Sequence, residues 1–186
     1  MLGIYNYTVI LTYVGMLAGF NGIIAAVDGN ILISTLCLMF AGICDMLDGR
    51  VASTMERTRQ EKQFGIQIDS LSDLVSFGIL PPLILYQCSS SRLIIGPCAL
   101  YALCALIRLA WYNVDEMERQ DRESGPRSVY SGLPVTFASL IFPAVIGLCT
   151  KLYISVQWIG SIVLLITAVA FLTPFQLRKL LLRRSR

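Results

Sequence analysis

Apolar residues in this chain do not alternate with polar ones at a short period. They continue in long runs, near 8–27, 31–52, 66–88, 93–113, 132–150 and 154–175. Roughly 20 consecutive, mostly apolar residues suffice for a helix to cross a bilayer, so the pattern predicts about six transmembrane helices. A membrane barrel would instead need short alternating strands. Turn residues separate the runs, as at Asp28-Gly29-Asn30 and Ser89-Ser90-Ser91. Two longer polar connections interrupt the pattern, Ser53 to Phe64 and Val114 to Ser131. The early part of the second reads as an amphipathic, charge-mixed helix, and its Gly125-Pro126 as a turn. Pro81, Pro82, Pro97, Pro134, Pro143 and Pro174 mark helix ends or kinks. The expected fold class is therefore all-α: a polytopic membrane bundle, one domain over residues 1–186, with no internal repeat.

Composition agrees. Apolar residues make up 55% of the chain and charged residues only 15%, where a soluble domain carries about a quarter charged. Met1 to Tyr7 has no basic stretch of the kind that opens a signal peptide, so the first span is expected to stay in the mature protein. The short loops are asymmetric in Lys and Arg. One side holds Arg57, Arg59 and Lys62, then Arg119, Arg122 and Arg127, then a basic run beginning at Arg178. The other holds Arg92 and Lys151. Both termini, and the two polar connections, are expected on the cytoplasmic side of the cytoplasmic membrane. The basic tail suits either a topology signal alone or contact with anionic headgroups.

All six cysteines fall in or beside apolar runs with no C-x-x-C spacing, and read as small buried hydrophobes. The chain has no histidine. That absence excludes histidine-based catalysis and leaves carboxylates as the natural general base.

Four carboxylates sit where an apolar span should avoid them. Asp45 and Asp48 end the second run, in CDMLDGRVAS; Asp69 and Asp73 open the third, in FGIQIDSLSDLVSFG. An ionisable residue inside a span is costly and is by default a functional candidate. At about 100° per residue, Asp45, Asp48, Gly49 and Ala52 share one helix face. Gly65, Asp69 and Asp73 share another, with neighbours about 5–6 Å apart. The short connection makes the two helices antiparallel neighbours, so all four carboxylates converge near the cytoplasmic end. Two unit charges about 5 Å apart repel by about 3 kcal/mol at an effective dielectric of about 20. Such a cluster calls for cations or protons. Its all-oxygen donor set suits Mg²⁺, Mn²⁺ or Ca²⁺ rather than zinc. Gly49, Ala52 and Gly65 allow close approach to the same helix faces, either by a ligand or by another helix.

The run from Asp45 to Asp73 closely resembles the signature of the CDP-alcohol phosphotransferases, D-x-x-D-G-x-x-A-R followed, after a spacer, by G-x-x-x-D-x-x-x-D. The resemblance extends to the six-helix architecture. It implies that Asp45, Asp48, Asp69 and Asp73 hold two divalent ions, Mg²⁺ or Mn²⁺. It implies that Asp48, Gly49, Ala52 and Gly65 border a bound CDP group, and that Asp73 acts as the base. Homodimerisation is implied by the resemblance alone, and nucleic acid is not an expected partner. Two departures stand out: Ser53 occupies the signature's arginine position, and the spacer, Thr54 to Phe64, is longer than usual. Arg57 or Arg59 can supply the missing charge; otherwise activity is weakened or lost.

The flanks resemble the phosphatidylserine synthase branch of that family. They are Asp69 to Gly78, Ile107-Arg108-Leu109-Ala110-Trp111-Tyr112-Asn113, and Ser131-Gly132-Leu133-Pro134-Val135-Thr136. This implies CDP-diacylglycerol as donor, L-serine as acceptor and phosphatidylserine as product. Arg108, in an apolar span, needs an anionic partner, either the serine carboxylate or a lipid phosphate, or else one of the aspartates. Asn113 offers donor and acceptor to a zwitterion, or caps a helix. Glycerol 3-phosphate and inositol-type acceptors are the alternatives. From a different class, an ion-coupled transporter also carries intramembrane carboxylates, but typically near the midplane and with internal repeats.

Overall fold

In a computed structural model, which describes residues 3–52, 54–89, 91–122, 129–174 and 176–178, the apolar runs fold as helices close to their predicted bounds. Helices α1 (Tyr7–Val27) and α2 (Ile31–Ala52) form a tightly packed hairpin. Its turn depends on Gly29, whose φ of +76° suits a residue without Cβ. Helix α3 (Arg59–Asp73), a π-helical turn (Leu74–Ile79) and α4 (Leu80–Gln87) run on as one rod. A 3-10 turn at Arg92–Ile94 leads into α5 (Ile95–Arg122). A second one, Val135–Phe137, leads into α6 (Ala138–Lys151), and α7 (Val156–Leu172) follows. The segments 7–27, 31–52, 59–87 and 92–119 are long and apolar enough to cross a membrane; 135–151 and 156–172 are shorter apolar helices. Ser53, the Gly125-Pro126 turn, Arg127 and the basic run from Lys179 onward lie outside the described residues.

Two boundaries differ from the sequence expectation for a local reason. Helix α3 starts at Arg59, well before the apolar run. Thr58 and Glu61 form a capping box: the Thr58 backbone N–H donates to Glu61 Oε2 (2.8 Å) and the Glu61 N–H to Thr58 Oγ1 (3.3 Å). Helix α5 continues to Arg122 because the predicted amphipathic helix joins the apolar span without a break. One element was not predicted. Strand β1 (Val129–Ser131) pairs antiparallel with β2 (Gln176–Arg178), with Tyr130 opposite Leu177. Three residues are too few to register as an alternating pattern.

Close packing along α1 depends on small residues. Gly15, Gly19 and Gly22 lie buried in one stripe. A Cβ on Gly19 would come within 2.2 Å of Ser76 Oγ, and one on Gly22 within 2.7 Å of Leu80. Such backbone-level contact is how helices associate where water supplies no driving force. The core is completed by Tyr101, which meets Phe142 edge-on at 5.4 Å and Phe171 at 5.3 Å. Pro81 and Pro82 withhold two N–H donors from the preceding turn. The Tyr101 hydroxyl donates to the Phe77 carbonyl at 2.8 Å, supplying a donor where that stretch lacks one. On the outside, Leu32, Phe40, Leu140 and Ile166 are exposed, as expected of helices apolar all round.

Candidate active site

The C-terminal end of α2, helix α3 from Lys62 to Asp73, the start of α1 and the polar extension of α5 meet at one end of the bundle. Local bonds fix that junction. Tyr7 Oη and Thr54 Oγ1 share a hydrogen bond at 3.0 Å, and Asn6 Nδ2 donates to Glu61 Oε1 at 3.4 Å. The start of α1 and the α2–α3 connection are thereby held against the start of α3.

At this junction Asp45, Asp48 and Asp69 each present one carboxylate oxygen, all within 4.8 Å of one another. The Asp45 and Asp73 carboxyl groups meet within hydrogen-bonding reach, as do those of Asp48 and Asp69. Asp73 is the most deeply set, 9% exposed. Thr12 Oγ1 on α1 donates to Asp48 Oδ2 at 3.2 Å. Thr136, in the turn before α6, brings its hydroxyl to Asp45.

Two spaces adjoin the cluster. A small cavity of about 10 Å³ lies among all four aspartates, Ser72 and Ser76. An open groove of about 240 Å³ has Asp48 and Asp69 at its base and Gly49, Ala52 and Gly65 along its wall. Arg57 and Lys62 add positive charge to it; Tyr112 and Glu116 close it on the α5 side. The glycines settle what smallness is for. A Cβ on Gly49 would meet nothing within 4 Å, and one on Gly65 only an Arg57 guanidinium nitrogen at 3.2 Å. These two glycines keep a groove open. Gly19 and Gly22, whose Cβ positions are blocked, serve helix packing.

The donor set fits a hard divalent cation: three carboxylates of matched reach, all oxygen, of which Asp48 and Asp69 open onto the groove.

The family model of the CDP-alcohol phosphatidyltransferases matches residues 5–173. The chain belongs to that family. Among proteins similar to this family member is an archaetidylserine synthase of Methanothermobacter thermautotrophicus, 27% identical, covering 87% of this chain and 67% of that protein. A CDP-diacylglycerol–serine O-phosphatidyltransferase of Methanocaldococcus jannaschii is 31% identical, covering 80% of this chain and 64% of its own. The one from Mycobacterium tuberculosis is 36% identical over 55% of this chain and 36% of its own. The chain thus matches between about a third and two thirds of the length of these relatives.

In this CDP-alcohol phosphatidyltransferase family member, the four signature aspartates come together, and Gly49, Ala52 and Gly65 line the groove beside them. The longer spacer folds so that Arg57 reaches the groove, whereas Arg59 stands exposed on the first turn of α3, outside its lining. Arg108 is buried in α5, and its Nε donates to the Leu133 carbonyl at 3.3 Å. Asn113 is not a helix cap, because α5 continues past it. Its Oδ1 accepts from Ser70 Oγ at 2.5 Å and its Nδ2 donates to Gln67 Oε1 at 3.2 Å, joining α5 to α3.

Sequence reasoning missed Thr12 and Glu116; it had Tyr112 and Thr136 only as parts of the flanking motifs and Lys62 only as a topology charge. Tyr112 and Glu116 are four apart on α5, a signal that was available once the helix was allowed to continue. Thr12 lies in an apolar run and carries no such signal.

Proposed function

We propose that this chain transfers the phosphatidyl group of CDP-diacylglycerol to the hydroxyl of L-serine, giving phosphatidylserine and CMP. The observation that carries the reading is the trio of carboxylates within 4.8 Å of one another, two of which, Asp48 and Asp69, line a glycine-walled groove. The relatives named for serine transfer narrow the acceptor.

Asp45, Asp48, Asp69 and Asp73 would hold the divalent ions, two of them and either Mg²⁺ or Mn²⁺. When bound, such ions neutralise charge on the diphosphate and on departing CMP. The chain's own groups orient the reactants. Asp48, Gly49, Ala52 and Gly65 would border the cytidine diphosphate, with Arg57 and Lys62 donating to its phosphates. The serine hydroxyl oxygen forms a bond to the lipid-linked phosphorus. The bond from that phosphorus to the bridging oxygen breaks, and CMP leaves with the electron pair. The hydroxyl proton passes to a carboxylate, for which Asp73 is the candidate. One observation favours a second role for Asp73: like Asp45, it lines the small cavity and not the open groove, a position that suits an ion ligand. Arg108 is the candidate partner for the serine carboxylate or the lipid phosphate.

The lysine and arginine asymmetry supports a cytoplasmic site in the cytoplasmic membrane, with both termini on that side, the helical bundle acting as one catalytic domain. There a water-soluble alcohol and a lipid-anchored nucleotide both have access. Membrane lipid is the partner, nucleic acid is not, and the working unit is a homodimer.

The decisive assay is CMP release by purified protein given CDP-diacylglycerol with serine, glycerol 3-phosphate or inositol phosphate. Release dependent on serine is expected. Release that rises with glycerol 3-phosphate and ignores serine would move the chain to a different acceptor, and cation uptake into vesicles without CMP release would indicate a transporter.

A further inference from the structure

Ser76 is 1% exposed, and its Oγ has no hydrogen-bond partner. A buried hydroxyl in that state has lost its hydration without replacement, which is costly and calls for a functional reason. Its near neighbour on the same rod behaves differently. Ser72 Oγ donates to the Thr12 carbonyl of α1 at 3.4 Å. Ser76 also faces α1, at Gly19, but finds no acceptor there. It stands over bare Cα, since any Cβ on Gly19 would fall within 2.2 Å of its oxygen.

Ser76 also lines the small cavity shared with the four aspartates. At about 10 Å³ this space is the size of a single water, and water in a buried site needs two to four polar partners. Ser76, Asp73, Asp45 and Ser72 offer them. Ser76 belongs to the π-helical turn Leu74–Ile79 that begins immediately after Asp73. Single π-helical turns of this kind concentrate at functional sites.

We propose that Ser76 is a positioning residue of the aspartate site, acting through one water in this cavity to hold the Asp73 carboxylate in place. The inference rests on the reading of the aspartates as metal ligands. A hydrogen bond behind a ligating carboxylate fixes its orientation, and losing such a bond typically weakens metal binding by about 10- to 100-fold.

The test is Mn²⁺ binding to the purified full chain in nanodiscs, without substrates, followed by the electron paramagnetic resonance of free Mn²⁺. Asp48→Asn tests the underlying reading and should lose affinity. Ser76→Ala should bind about tenfold more weakly than the parent, while the thermal unfolding of the chelated protein stays near the parent's. Thr167→Ala is the control for loss of a buried hydroxyl elsewhere, since Thr167 Oγ1 donates within its own helix to Val163 O; its Mn²⁺ affinity should be that of the parent. If Ser76→Ala does not fold, Ser76→Cys keeps the volume with a much weaker donor and is judged by the same shift. Parent-like affinity in the folded Ser76 variant, with Asp48→Asn impaired, overturns the role of Ser76 and leaves the metal reading intact. A parent that binds no Mn²⁺ removes both.

Discussion

Thr12 Oγ1 donates to Asp48 Oδ2 at 3.2 Å, so the aspartate cluster on α2 and α3 is braced from α1. The signature motif contains no part of α1, yet this bond holds one Asp48 oxygen from outside the motif. Thr12→Val keeps the shape and removes the donor. It is expected to weaken Mn²⁺ binding by about tenfold, the effect typical of a lost bond to a ligating carboxylate. A titration of Mn²⁺ against the parent and Thr12→Val checks it; equal affinities would mean that Asp48 holds its orientation unaided.

Chelation should abolish turnover, and Mg²⁺ or Mn²⁺ should restore it. Asp45→Asn, Asp48→Asn and Asp69→Asn each remove the negative charge of one of three carboxylates whose oxygens lie within 4.8 Å of one another. Each should lower metal affinity and rate together. Full activity in excess chelator would be incompatible with a metal site here.

Asp73 is distinguished by depth. It is 9% exposed and, like Asp45, lines the small cavity and is absent from the groove lining. If it takes the hydroxyl proton, Asp73→Asn should cut kcat by about 10²- to 10⁴-fold, the usual worth of a general base, and leave nucleotide affinity nearly unchanged. Parallel losses in kcat and in metal affinity would make it chiefly a ligand. Steady-state kinetics and Mn²⁺ titration on the same preparation separate the two.

The contrast between helices and loops explains how much was legible in advance. The six apolar runs foretold the helices because bilayer thickness demands length, and length survives in a sequence. The helical period likewise put Asp45 with Asp48 and Asp69 with Asp73, and the short connection brought the pairs together. What periodicity could not give was partnership between distant segments. Thr12 lies 36 residues from Asp48, and nothing in an apolar run marks one threonine as its donor. Nor could spacing tell a glycine that opens a groove, Gly49, from one that receives a neighbouring helix, Gly19; only the atoms opposite each decide that.

The spacer makes a sharper test possible than the sequence did. Arg57 lines the groove and approaches Gly65, whereas Arg59 is exposed and outside the lining. If a spacer arginine replaces the signature arginine lost at Ser53, it is Arg57. Arg57→Gln should lower nucleotide affinity by about tenfold, the scale of one charge-assisted hydrogen bond. Arg59→Gln should have little effect, as expected for an exposed charge. Ser53→Arg should be tolerated or raise the rate. Equal effects at Arg57 and Arg59, measured by nucleotide binding, would defeat this assignment.

Gly49 and Gly19 give a prediction with opposite signs for stability and function. A Cβ added at Gly49, which lines the groove, meets no atom within 4 Å. Replacing a helical glycine by leucine also removes a conformational-entropy cost of about 0.5–1 kcal/mol. Gly49→Leu should therefore fold as well as the parent or better, and still fail to bind the nucleotide, because the added side chain occupies its place. At Gly19 the added Cβ would collide with the Ser76 Oγ, Cβ and Cα, at 2.2, 3.0 and 3.1 Å. Relief there requires α1 to move off the π-helical turn, since the obstructing atoms include backbone. Gly19→Leu should lower the unfolding temperature and disturb the aspartate cluster only secondarily. Thermal unfolding in detergent paired with CDP binding measures both axes. A destabilised Gly49→Leu, or a Gly19→Leu that unfolds like the parent, would contradict the assignment of these two glycines to groove and packing.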